Sequence, residues 1–273
     1  LRAQLHPDRK HSRVTEMPLD GGDILREIAF RWRSFAKISA PAWKNCAGSW
    51  ARLTETLDSA GVEEIKHLRT QFGPDLDEWP KRLTVRELHE AIYLIDVLQR
   101  YAIGTNTVTT PGLDVGSKNG TALPALANAV PGQWDLVEID AHRRYATLAT
   151  RRAHGVRISR QYPRSRFIAG SVTELPGPYG FVTWILPFID PAPLAAWGLP
   201  NRLYEPERLL EHVKRIITPG GILFVVNQGE VEYDIQHGLF RALDMSATPL
   251  GKIESAISPF KRDRYCWRWT APA

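Results

Sequence analysis

Cysteine is scarce. The 273 residues hold two, Cys46 and Cys266, far apart in the chain. Two distant thiols exclude a disulfide framework and fit a reducing cytoplasm. Long hydrophobic runs are missing as well: Gly221-Ile-Leu-Phe-Val-Val226 is only strand length, well short of the ~20 apolar residues a membrane helix needs. Residues 1–20 are polar and basic and lack a signal-peptide pattern, so they read as a loose leader. No internal repeat or low-complexity stretch is evident. No pattern of metal ligands stands out.

Acids are absent from one stretch. Ala141 to Arg166 contains eight Arg and neither Asp nor Glu. The whole chain carries a net charge of +5 and a pI near 9.3, which permits an anionic partner. A solvated helix face plus loop explains the arginines most simply; a patch for nucleic acid such as RNA, or for an anionic substrate, is the second explanation, since Arg suits phosphate. Aromatic residues there are limited to Tyr145 and Tyr162, too few for a single-strand stacking platform. The remaining composition, 43% hydrophobic and 24% charged, is that of a globular protein with ample chain for a core.

Helical periodicity occupies residues 21–103. Ile24, Leu25, Ile28, Trp32 and Phe35 recur on one face, predicting a helix that buries it. Trp50, Leu53 and Leu57 predict a second helix, and Val62, Ile65 and Leu68 a third. Thr84-Val-Arg-Glu87 has capping-box form, with Leu88, Ile92, Ile95 and Leu98 following on one face. Three roles fit this segment: covering a sheet, lidding a substrate site, or building a homodimer.

Past a Thr-rich linker (103–111) strands and helices alternate. Strands are predicted at Gly112–Val115, Trp134–Ile139, Ser165–Ala169, Phe181–Pro187 and Ile222–Asn227. Helices are predicted at Thr121–Val130, about His142–Ala153, from Pro206 to the Thr218-Pro-Gly-Gly221 stop, and Tyr233–Leu243. Two closing strands, near Lys252–Ile257 and Arg264–Thr270, suit an antiparallel edge hairpin. Such alternation argues for an α/β, doubly wound, mostly parallel sheet of seven strands. The expected division is residues 1–108, leader and helical segment, and 109–273, the sheet domain.

Within that domain, Leu113-Asp-Val-Gly-Ser-Lys-Asn-Gly120 reads as a buried strand entering a glycine turn before a helix. Gly116 and Gly120 let backbone N–H groups approach a polar ligand. The next strand, Trp134-Asp-Leu-Val-Glu-Ile-Asp140, ends in acids 22 positions beyond Gly116. This pair of stretches resembles the first two motifs of the class I S-adenosyl-L-methionine (SAM)-dependent methyltransferases. Asp114 takes the acidic position, Gly116 and Gly120 the outer glycines, and Lys118 replaces the middle glycine. The G-x-x-x-G spacing departs from the G-x-G-x-x-G of dinucleotide sites.

The resemblance implies SAM as cofactor and methyl transfer as activity. Asp114 and the Gly116, Ser117, Lys118, Asn119 and Gly120 turn would hold the amino-acid end. Glu138 would take both ribose hydroxyls, with Ile139 beside it and Asp140 as cap of the following helix. Ser171 and Val172, after strand three, would meet the adenine. On the acceptor side the residues leave alternatives open. Trp197 lies in a proline-rich loop, and Asn227 and Gln228 at the tip of strand five would bind the acceptor. Glu230 would take its proton, or cap the next helix. Trp184-Ile-Leu-Pro-Phe188 lacks the polar group of nitrogen-methylating relatives, and Thr183 to Ile189 lacks the paired acids of aminopropyl transferases on the same fold. A small-molecule acceptor is expected first; RNA or protein, and an inactive binding scaffold, are the alternatives.

Overall fold

The computed structural model describes residues 21–35, 48–102, 111–146 and 148–273. The expected leader, the body of the linker, the boundary near 108 and Cys46 lie outside them. Seven strands form one sheet: β1 (Gly112–Val115), β2 (Trp134–Glu138), β3 (Arg166–Ala169), β4 (Tyr179–Ile185), β5 (Ile217–Gln228), β6 (Thr248–Lys252) and β7 (Arg264–Thr270). Their order is β3-β2-β1-β4-β5-β7-β6. β1 to β5 run parallel, and β7 is antiparallel to both neighbours. The order reverses between β1 and β4, which puts a topological switch point at the carboxyl ends of those two strands.

The strands read as apolar runs because both faces are covered. Along β5, Ile222, Phe224 and Val226 join one core, while Leu223 and Val225 join the other. On the first face lie α5 (Val85–Val97) and α6 (Leu123–Ala129), with Leu88, Ile92 and Ile95 packed in one cluster with Leu126, Trp134 and Phe181. On the second lie α9 (Pro206–Ile216) and α10 (Gly229–Ala242), through Leu210, Val213 and Phe240. Helices α2 (Trp50–Thr54), α3 (Ser59–Phe72) and α4 (Pro74–Glu78) add Leu53, Ile65, Leu68 and Leu76 to the first core. The Thr84–Glu87 capping box is formed, and every residue from Ala91 to Val97 is buried.

Three expectations are corrected. The helix α1 (Gly21–Phe35) does not bury its apolar face: Ile24, Leu25, Ile28, Trp32 and Phe35 are 53–80% exposed. It docks by the other side. Asp23 accepts from the Asn201 N–H at 2.7 Å, Arg33 donates to the Gly198 carbonyl at 3.1 Å, and Phe30 packs with Leu194 and Leu199. The helix expected from His142 is α7 (Arg151–Ser159), and its cap is Thr150, which accepts from the Ala153 N–H. Asp140 cannot serve as that cap, because its carboxylate is taken by arginines. The sixth strand ends at Lys252, where it was expected to begin, and is an edge strand that tolerates Pro249. Among the described residues no helix is long and apolar enough to cross a membrane.

Candidate functional site

The register of β1 against β4 sets Asp114 beside Thr183. Asp114 is 2% exposed and accepts from the Thr183 hydroxyl at 2.7 Å. Burial pushes its pKa up to about 7, against the Thr183 hydrogen bond; Glu138 adds repulsion and Lys118 a smaller attraction. The chain then turns at Gly116, φ +72°, where a Cβ would meet nothing within 4 Å. That open side faces a cleft of about 100 Å³. Asp114, Gly116, Ser117, Lys118, Thr121 and Ala122 form one wall, Glu90, Tyr93 and Leu94 of α5 another, and Ile185, Leu186 and Phe260 the rest. Two lining residues, Lys118 (φ +50°) and Leu186 (φ +56°), are held in the left-handed region, which costs a side-chain-bearing residue ~1–2 kcal/mol.

Four of the five expected N–H donors of the glycine turn are already engaged. Gly116 and Ser117 both donate to the Val137 carbonyl, at 2.9 and 3.1 Å, and Gly120 donates to the Ser117 carbonyl at 2.7 Å. The Lys118 N–H donates to Glu138 Oε2 at 2.7 Å. Gly120 answers a packing need, since a Cβ there would stand 3.2 Å from the Gly155 Cα of α7. Asn119 accepts from the Thr121 hydroxyl at 3.1 Å.

Glu138, at the tip of β2, is 4% exposed and lies behind the cleft. Its Oε1 accepts from the Asp140 N–H at 2.8 Å and from Arg151 at 3.1 Å. Burial raises its pKa, and Arg151 is the largest opposing influence. Asp140 pairs with Arg143, with Arg33 at 3.4 Å and with Arg151 at 3.6 Å. Arg143 and Arg151, with Lys118, gather at Trp197, just past the end of α8 (Pro191–Ala196). Arg151 lies 4.9 Å, Lys118 5.6 Å and Arg143 5.7 Å from its ring. Arg143 also donates to the Trp197 carbonyl. So Trp197, expected on the acceptor side, packs against the arginines that pair with the β2 acids.

The other expected residues are dispersed. Ile139 is 36% exposed beside this cluster in sequence. Ser171 accepts from the Thr173 N–H at 3.2 Å and caps a short 3₁₀ turn whose Val172 is buried in the second core. Asn227 is fully buried, and its amide has no hydrogen-bond partner among the described residues. Gln228 precedes α10 and donates its N–H to Glu232 at 2.8 Å. Glu230 is exposed, accepts from the Tyr265 hydroxyl at 3.1 Å and does not line the cleft. Among the described residues no cluster of three His, Cys, Asp or Glu is placed to hold a metal.

Sequence reasoning missed the α5 wall, Leu186, Phe260, Thr183 and Arg151. Thr183 left a signal, a lone hydroxyl inside the apolar run of β4. Glu90 and Tyr93 left none, because only the packing of α5 across the turn brings them to the cleft.

At the tail end the residues fit the ammonium of an aminoacyl nucleoside, through the Asp114 carboxylate. Among the described residues Asp114 has no cationic partner in direct contact, and the space over Gly116 is open. At the diol end Glu138 is present, shared with Arg151.

No family model matches the sequence, and no curated protein does. Solved structures resemble it weakly. A methyltransferase from Pyrococcus furiosus is 13% identical, with 77% of this chain and 100% of that one covered and a TM-score of 0.48. Magnesium protoporphyrin IX methyltransferase (ChlM) from Synechocystis PCC 6803, with bound SAM, is 12% identical over 83% and 99%, TM-score 0.46. Precorrin-6y C5,15-methyltransferase from Geobacter metallireducens GS-15 is 10% identical over 69% and 90%, TM-score 0.42. At these values the likeness says nothing of activity, and the fold assignment rests on the strand order and register. The chain has a mostly parallel, seven-stranded α/β fold with one antiparallel strand, β7, between β5 and β6.

Proposed function

We propose that the chain is a SAM-dependent methyltransferase acting on a small-molecule acceptor in the cytoplasm, with residues 109–273 as the cofactor-binding unit and the N-terminal helices shaping the acceptor side. One observation carries the reading. At the β1/β4 switch point a buried acid, Asp114, adjoins a glycine whose missing Cβ opens onto a cleft, and the neighbouring strand ends in Glu138. Asp114 would hold the cofactor's ammonium, which favours its ionised form. Glu138 would accept from the ribose diol once Arg151 gives ground.

The cofactor supplies an electrophilic methyl group on a sulfonium. The chain's own residues position and dehydrate. Leu94, Ile185, Leu186 and Phe260 line the cleft with apolar surface that excludes water. Tyr93, whose pKa is raised by burial, keeps its proton at neutral pH and serves as a hydrogen-bond donor rather than a base. A narrow cleft roofed by α5 and Phe260 supports a small acceptor. Of the eight arginines between Ala141 and Arg166, Arg143, Arg151 and Arg166 are paired with Asp140, Glu138 and Asp135, while Arg152, Arg160 and Arg164 are exposed, which keeps RNA as the second acceptor class.

The test is transfer of labelled methyl from SAM, offered a small-molecule extract and total RNA in parallel. Label in the low-molecular-weight fraction is expected. Label confined to RNA would overturn the acceptor class, and no transfer to either would remove the activity.

A further inference from the structure

The glycine turn keeps its shape but has spent most of its donors. Four of its N–H groups, at Gly116, Ser117, Lys118 and Gly120, are bonded within the protein. A carboxylate entering the cleft cannot be met by them. The Ser117 and Thr121 hydroxyls are also engaged, with the Val137 carbonyl and Asn119.

Lys118 is different. It is one of the residues lining the cleft, and its ammonium makes no ion pair within 4 Å among the described residues. The nearest feature named for it is the Trp197 ring, 5.6 Å from the ammonium, a ring it shares with Arg151 and Arg143. Those like charges oppose its staying there. Lys118 is accessible to solvent yet walled in by protein on most sides, so enclosure lowers its pKa while Glu90 pulls the other way. It also holds φ +50°, a conformation in which glycine would be unstrained. A lysine kept at a cost in backbone energy, unpaired, in the wall of a cleft, is a functional outlier. Asp114 lines the same cleft. An acid and a lysine in one small cleft match the two ends of a zwitterion.

We infer that the Lys118 ammonium is the carboxylate-binding group of this cleft, standing in for the N–H donors that the glycine turn has turned inward. The inference rests on the cofactor reading for one of two carboxylate sources, the aminoacyl tail of the cofactor; the other source is an acid group on the acceptor.

Calorimetric titration separates them. The probes are S-adenosylhomocysteine, which carries the tail, 5′-methylthioadenosine, which shares the nucleoside and lacks the tail, and benzoate added to the S-adenosylhomocysteine complex. The proteins are wild type, Lys118→Met, Lys118→Arg and Lys118→Gly. With the cofactor tail as source, Lys118→Met weakens S-adenosylhomocysteine ~10–100-fold, the range of a hydrogen bond to a charged group. Methylthioadenosine stays within about twofold, and Lys118→Arg restores most of the loss. With the acceptor as source, both nucleosides are unaffected and benzoate binding is lost in Lys118→Met. Equal weakening of both nucleosides, or no change in any probe, overturns the inference. If wild type binds neither nucleoside, the cofactor reading fails by itself, and benzoate titrated into the free protein still reads Lys118. Lys118→Gly adds a readout that a structural lysine would not give: thermal stability rises while the carboxylate-dependent binding falls. A fall in stability would assign Lys118 to packing on Trp197.

Discussion

Replacing Asp114 with Asn should make the protein more stable at alkaline pH while removing its ligand. Asp114 is buried, and its pKa stands at about 7 in the folded chain against ~3.9 for an unfolded Asp. Between those values the folded state holds the proton and the unfolded state has released it. Stability attributable to this group is therefore full below about pH 4 and falls as pH rises toward 7. Three units at ~1.4 kcal/mol each set a ceiling of about 4 kcal/mol. Relaxation and water entry at a cleft wall reduce this to ~1–3 kcal/mol. Asn stays neutral and its amide oxygen still accepts from Thr183. The stability difference, Asn minus Asp, should thus grow by ~1–3 kcal/mol between pH 4 and 8, or ~2–4 °C in Tm per kcal/mol for a chain of this size. The assay is differential scanning calorimetry of both proteins across that range; taking the difference cancels, to first order, groups common to both. A difference that stays flat, or falls with pH, refutes the claim that burial dominates at Asp114. The same variant should lose the stabilisation that S-adenosylhomocysteine confers on wild type.

Arg151→Met leaves Glu138 buried without its guanidinium and should cost ~3–5 kcal/mol by denaturant unfolding. The loss should be larger at pH 8 than at pH 5, because an unpaired buried carboxyl pays for ionising as pH rises. Gly155→Ala puts a Cβ 2.0 Å from the Phe167 ring and should cost ~1–3 kcal/mol of overpacking, whereas Gly116→Ala meets no atom and should cost only the ~1–2 kcal/mol of its φ. Trp32→Ser, at a side chain 72% exposed, should leave the unfolding free energy within about 0.5 kcal/mol.

What was legible in the sequence was the pattern each element imposes by itself. β1, β2 and β7 were readable to within a residue, because buried β runs are bounded by turns. The Thr84–Glu87 box fixed the start of α5, since a cap is a local contact. What was not legible depended on partners. The period of α1 was right and its buried side wrong, because Asp23 and Arg33 found Asn201 and Gly198 on the far side of the chain. The start of α7 was placed about nine residues early, since Asp140 resembles a cap until three arginines claim it. At the site, the positions of Asp114, Gly116 and Glu138 followed from strand and turn. That the Gly116 and Ser117 N–H groups point back at Val137 follows from the β1–β2 register, which no local pattern encodes. The α5 wall of the cleft and the contact of Trp197 with the arginines likewise come from tertiary packing.

The central claim is that the cleft over Gly116 holds SAM. Calorimetric titration of the protein with SAM, beside Gly116→Val, tests it most directly. One-to-one binding by wild type, absent in a variant that fills the open space with a side chain yet still folds, is the predicted result. No heat with wild type, or equal binding by both proteins, would contradict it.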